Sequence, residues 1–224
     1  WGLKPGMTVL EVQPGGQSWW TEILAPYAKR TGGKFYVTGP DLANPDLPEG
    51  ARKARAAFEA RYGANPDLYG KIDVVNWGAK SAPLPKDTFD FILTARSVHG
   101  WMGQPGMAEK TFKEFYDALK PGGILALEQH RANPGPQDPK APTGYVTEDH
   151  VIEMAKQAGF TLAAKSELNA NPKDTKDHPF GVWTLPPMLR STAYGSEKDT
   201  DPTFDHSKYV AIGESDRMTL KFVK

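Results

Sequence analysis

The chain has 224 residues, enough for one domain with a full core or one domain carrying a sizeable insertion. Hydrophobic residues make up 39% and charged residues 24%, the composition of a folded protein rather than a disordered one, and 27 basic residues against 27 acidic ones leave no net field to attract a polyanion or an anionic membrane. A nucleic-acid partner is therefore not expected, no apolar run approaches the roughly 18 residues of a membrane-spanning helix, and the absence of cysteine excludes disulfides, thiolate metal sites and cysteine nucleophiles.

Met7 to Val12 is a short apolar run closed by Pro14, Gly15 and Gly16, after which Trp20, Ile23, Leu24, Tyr27 and Ala28 recur at helical spacing. This predicts strand, tight turn and helix, with Ser18 as the helix cap and Gly32 and Gly33 ending the unit before a second strand, Lys34 to Thr38. Ala51 to Tyr62 reads as a helix, while Lys71 to Val75 and Phe89 to Thr94 read as strands. Ala108 to Leu119 presents Phe112, Phe115, Tyr116 and Leu119 on one helical face, and Pro121, Gly122 and Gly123 then turn the chain into a strand from Ile124 to Glu128. Thr147 is placed to cap a helix ending at Gly159, followed by strands from Thr161 to about Leu168 and from Met218 to Val223.

Such alternation predicts an α/β fold, a Rossmann-like doubly wound sheet. The polar, proline-containing stretch 169–217 reads as an insertion between the last two strands of a single domain spanning 1–224. A connection of that length is expected to be either a lid or a solvated loop, and Asp174, Asp177 and His178 fall within it. Ligands of doubly wound sheets bind beyond the carboxyl ends of the strands. The positions of interest are therefore Glu11 to Gln17, Thr38 to Asp41, Asn76 to Gly78, Thr94 to Trp101 and Glu128 to Arg131.

Three segments, KPGMTVLEVQPGGQSWWTEILA, LPKDTFDFILT and FYDALKPGGILAL, resemble the class I S-adenosylmethionine-dependent methyltransferases, and VTEDHVIEMAKQAGFTL resembles the helix and sixth strand of those enzymes. More narrowly, the Pro-Gly-Gly turn and the tail NANPKDTKDHPFGVWTLPP are similar to a group of bacterial predicted methyltransferases, some of which carry export signals. The resemblance implies a seven-stranded, mostly parallel sheet with an antiparallel last strand, S-adenosylmethionine as cofactor and a small-molecule acceptor. In the superfamily's glycine-rich turn only Glu11 and Gly15 occupy matching places, with Gln13 and Gln17 where glycines are usual. Gly15 and Gly16 still allow close backbone approach. The resemblance further implies Asp41 as the ribose ligand, with Asn76 or Trp77 taking the adenine-side role of an acidic residue missing near Gly78. The cofactor-binding set is thus Glu11, Gln13, Gly15, Gly16, Asp41, Asn76, Trp77 and Thr94. Asp41 also precedes Asn44 and Pro45, which suits a turn. Trp19 and Trp20 are adjacent on a helix and face different ways, one toward the core and the other toward the pocket.

On the acceptor side, His99 and His130 are candidate bases because an imidazole titrates near neutrality. Glu128 shares the second loop with His130 and Arg131, while Arg96, Ser97 and Trp101 share the first with His99, and together they form a candidate acceptor site. The alternative is that both histidines are hydrogen-bonded structural groups. Other readings are a non-catalytic methyltransferase-fold binding protein, including a metal carrier using Glu128, His130, His99 and Asp177, and a nicotinamide-dependent oxidoreductase. The oxidoreductase needs a third glycine where Trp20 and Thr21 stand. The start at Trp1 and the exported relatives favour a periplasmic protein whose leader was removed, whereas a cofactor made in the cytoplasm favours that compartment. The sequence leaves the oligomeric state open.

Overall fold

The computed structural model describes residues 1–193, 196 and 200–224. The elements run β1 (Thr8–Val12), α1 (Thr21–Arg30), β2 (Lys34–Pro40), α2 (Glu49–Gly63), α3 (Pro66–Tyr69), β3 (Ile72–Trp77), β4 (Phe89–Ala95), α4 (Val98–Met102), α5 (Met107–Ala118), β5 (Leu119–His130), α6 (Glu148–Ala158), β6 (Thr161–Ser166), a 3₁₀ turn at Gly181–Thr184, α7 (Ser207–Ile212) and β7 (Arg217–Val223). All seven strands form one sheet in the order β3-β2-β1-β4-β5-β7-β6. The first five pair in parallel, and β7 runs antiparallel to both β5 and β6. This is the doubly wound, Rossmann-like sheet that the alternation predicts.

The central strands read as near-continuous apolar runs because both of their faces are covered. Alternation along β1, β4 and β5 then divides the core. Leu10, Val12, Ile92, Leu125 and Leu127 pack with Phe112, Phe115 and Val151 on one face. Val9, Phe91, Leu93 and Ala126 pack with Leu24, Ala25 and Ala28 of α1 on the other. Glu11, Glu128 and His130 belong to the second series by parity, and this series brings polar side chains to the carboxyl end of the sheet on the α1 side.

Several local expectations change. Ser18 does not cap α1 with its side chain: it adopts φ 51° and its hydroxyl donates to the Gly15 carbonyl, while its own carbonyl accepts from Glu22 N. Thr147 occupies the cap position of α6 without a side-chain cap bond, and Gly159 ends that helix in the left-handed conformation, φ 111°. The Pro-Gly-Gly segment at 121–123 lies within the long β5 rather than before it. The insertion contains the 3₁₀ turn and α7, which its irregular polar pattern did not announce.

Phe115 is fully buried, with its ring 5.7 Å from Trp101 and 6.3 Å from Trp77, so it ties α5 to the strand ends that carry the site. Phe115→Ala is expected to destabilise the fold by about 3–5 kcal/mol in urea denaturation.

Candidate functional site

The chain leaves β1 through a turn whose geometry is set by its own backbone. Gln13 takes φ 52° and its N–H donates to Thr38 Oγ1 at 2.8 Å, fastening the turn to β2. Its side-chain oxygen accepts from Trp101 Nε1 at 2.9 Å, so Trp101, buried to 1% exposure, braces the turn from the core and is not an acceptor-side group. Gly15 follows at φ 69°, a conformation that L side chains rarely adopt, and a Cβ placed on Gly15 or Gly16 would meet no atom within 4 Å. The open space on either side is a pair of cavities of about 570 and about 540 Å³, both lined by Gln13, Pro14, Gly15, Gly16 and Ser18. Each has the size of a small-molecule site.

Glu11 lines the first cavity yet is only 2% exposed, and Thr21 donates to its Oε2 at 2.5 Å. Burial outweighs that hydrogen bond and pushes the carboxyl up to about 7. Both His99 and His130 line the same cavity, with ring centroids 5.7 Å apart. His99 Nδ1 lies 3.1 Å from the amide nitrogen of the buried Gln129, and His130 Nδ1 lies 2.6 Å from Ser215 Oγ. Burial lowers the pKa of His99, and the Arg96 charge lowers it further against the raising effect of Gln129. Burial holds His130 well below the usual imidazole range, helped by His99, Arg96 and Arg217. Two neutral rings at neutral pH are the result.

Glu128 is nearly buried beside them, and burial raises its carboxyl although Arg217 Nη1 stands 3.0 Å away. Arg217 also pairs with Glu214 at 2.6 Å. Glu128 is thus the partner of Arg217 and does not itself line the cavity. Arg131, read as an acceptor-side group, instead pairs with Asp216 and Glu167 outside it. Asp177 is exposed and accepts from Thr175, and among the described residues no three His, Asp or Glu side chains converge as a metal site.

The second cavity is lined by Val37, Thr38, Gly39, Arg55, Phe58 and Trp77, among others. Trp77 borders this cavity at the end of β3, but its ring packs against Trp101 and Phe115 and its Nε1 donates to Glu114 at 3.0 Å. Asn76 is exposed, with its side-chain oxygen accepting from Arg55 Nη1. Arg55 is a residue the sequence did not single out: it lies in a polar-looking helix, yet it is 8% exposed and donates to the carbonyls of Pro40 and Val74. Asp41 follows Pro40, and its Oδ1 accepts from Ala43 N at 3.0 Å, the turn-forming role. Thr94 is buried with its hydroxyl unpartnered among the described residues, and neither Asp41 nor Thr94 lines a cavity.

The insertion contributes Val182, Trp183, Leu185, Pro186 and Pro187 to the wall of the first cavity. Trp183 lies edge-on to His99 at 5.7 Å. The solvated-loop expectation fails for Asp174 and His178, whose side chains are fully buried. Asp174 accepts from Tyr145 Oη, from Asp216 N and from Lys176 N, and His178 Nε2 is 2.8 Å away. Trp19 and Trp20 both line the cavity, with Trp19 57% exposed and Trp20 packed on the α1-side core.

A family profile described as a methyltransferase domain matches residues 14–127, just over half of the chain. No curated protein matches. Among solved structures, an S-adenosylmethionine-dependent methyltransferase from Aquifex aeolicus is 24% identical over 74% of this chain and 78% of its own, at TM-score 0.52. One from Methanosarcina mazei is 15% identical over 99% and 94%, at TM-score 0.55. The [4+2]-cyclase SpnF is 16% identical over 99% and 76%, at TM-score 0.59. These likenesses concern the fold, and the cyclase among them means that the fold alone does not name a reaction.

The raised Glu11 carboxyl has a thermodynamic consequence. Because its folded pKa lies above the ordinary value of 4.5, its contribution to stability is present below that value and lost as pH rises toward about 7. Glu11→Gln should therefore flatten the pH dependence of urea-denaturation stability between about 4.5 and about 7, a change on the order of 3 kcal/mol.

Proposed function

The chain belongs to the methyltransferase-domain family, with S-adenosylmethionine as cofactor, and on that premise we propose that it transfers a methyl group to a small-molecule acceptor held in the His99–His130 cavity. The observation carrying this reading is the Gly15–Gly16 turn, which leaves open space between two cavities of ligand size while both candidate bases face only one of them. The donor set suits the cofactor. Phe58, Val37 and Val74 offer apolar surface for a base in the second cavity, and the nearly buried Glu11 lines the first as a carboxyl that an incoming positive charge would ionise. Asp41, next to the cavity residue Pro40, keeps Oδ2 without a partner among the described residues, and we assign it to the ribose. The bound cofactor would supply an electrophilic methyl group on a positively charged sulfur.

The chain's own contribution is positioning, desolvation and proton removal. His130 Nδ1 can donate to Ser215 Oγ, which leaves its Nε2 to take a proton from an acceptor hydroxyl or amine, whereas His99 Nδ1 accepts from the Gln129 amide and leaves its Nε2–H as a donor that orients the acceptor. Depressed pKa values keep both rings neutral at neutral pH. Trp183, Leu185 and the two prolines of the insertion exclude water from the same space. We place the chain in the narrower bacterial group on its Pro-Gly-Gly turn and its insertion sequence.

Calorimetric titration with S-adenosylhomocysteine tests the cofactor half. Gly15→Val puts a branched side chain into the open turn at a left-handed position and should reduce affinity by at least about 100-fold while the circular dichroism spectrum persists. Unchanged affinity would move the cofactor elsewhere. The acceptor half predicts that kcat/KM is flat at neutral pH and falls only as the pH drops below about 6.5, because the base must be unprotonated and its pKa is lowered. His130→Ala should lower kcat by about 100-fold or more with cofactor affinity nearly unchanged. Binding of S-adenosylhomocysteine with no turnover on any acceptor would instead identify a non-catalytic binding protein.

A further inference from the structure

We propose that the acceptor is an anion, a small aromatic carboxylate whose charge is read by Arg96; this rests on the methyltransferase reading above. Arg96 follows β4 directly and takes φ 56°, a left-handed conformation that costs any residue with a Cβ. Its backbone N–H donates to the Glu128 carbonyl at 2.8 Å, which fixes the residue at the rim of the first cavity. A strained backbone at a cavity wall is where functional side chains concentrate.

The charge balance of that wall singles out the same residue. Arg217 is neutralised between Glu128 and Glu214. Arg190 has an interaction partner of its own. Glu11 is closed off by Thr21. Arg96 alone among the charged lining residues has neither an ion pair nor a side-chain hydrogen bond within the described residues, although its charge reaches His99, His130 and Glu128. A guanidinium presents parallel N–H groups that match a carboxylate in two-point contact. The two imidazoles are neutral and so do not compete for the anion, and they leave Arg96 as the group that distinguishes an anionic acceptor from a neutral one.

The remaining walls describe the body that carries the charge. Trp183, edge-on to His99, and Trp19 with Pro186 offer flat apolar surfaces on the insertion side and the α1 side of the same cavity. An aromatic ring between these surfaces would place an attached hydroxyl at the histidines and an attached carboxylate at Arg96. The sulfonium of the bound cofactor adds a second positive charge to the site, and an anionic acceptor is attracted by both.

Salicylate and its neutral amide, salicylamide, separate charge from shape. Each is titrated calorimetrically into protein already saturated with S-adenosylhomocysteine, using the wild type, Arg96→Gln and Arg96→Lys. The expected result is wild-type binding of salicylate about ten-fold or more tighter than salicylamide, a preference abolished in Arg96→Gln and partly kept in Arg96→Lys, with S-adenosylhomocysteine affinity within about three-fold throughout. Equal affinity for the two probes, binding of neither, or a preference that survives in Arg96→Gln overturns the assignment to Arg96. Failure of S-adenosylhomocysteine to bind in the preliminary titration is a separate outcome: it sinks the methyltransferase reading and this inference together.

Discussion

The first cavity depends on a buried carboxylate. Asp174 sits without solvent exposure in a segment that is otherwise polar and irregular, and an unpaired charge there would cost several kcal/mol. It is tolerated because Tyr145, His178 and the backbone N–H groups of Lys176 and Asp216 all converge on its two oxygens. Tyr145 leads from β5 toward α6, and Asp216 immediately precedes β7, so one side chain ties the insertion to the two segments that meet at the carboxyl end of β5. Asp216 in turn holds Arg131 and Lys176. The knot fixes the path of the chain into the 3₁₀ turn at 181–184, where Gly181 lies at φ 59° against the backbone of Thr143. Trp183 and the following prolines are thereby brought over the histidines.

Within this enclosure, desolvation sets the chemistry. Burial raises Glu11 and Glu128 and lowers His99 and His130, which moves these four groups at the β1, β4 and β5 ends toward their neutral forms. Beside these neutral groups Arg96 keeps a guanidinium without a partner among the described residues, which suits the anionic acceptor proposed above. The same enclosure supports the neutral imidazole that a proton acceptor needs.

The first three strands were legible twice over, from a β-type run and from the glycine or proline that follows it, and the others from their alternation with helical segments. The convergence of His99 and His130 on one cavity also followed from strand-end positions alone, since parallel strands deliver their carboxyl ends to one edge. The buried polar part of the insertion was not legible. Asp174 and His178 are buried by mutual hydrogen bonding, and pairing of that kind leaves no periodicity for a sequence reading to detect. Arg55 was hidden for a related reason: in a helix rich in charge, its burial comes from carbonyls of β2 and β3 that are distant in sequence. Ser18 was misread because the turn uses its hydroxyl internally, and Trp101 because its indole serves Gln13 in place of a ligand.

The account stands on a cofactor lying across the Gly15–Gly16 turn, with its sulfur on the histidine side and its base on the Trp77 side. A crystal structure of the complex with S-adenosylhomocysteine measures this directly. The account predicts ligand density continuous between the two cavities, with His99 and His130 Nε2 within direct or single-water reach of the space beside the sulfur. Density confined to another part of the molecule, or both imidazoles beyond water-bridged reach of that space, would contradict it.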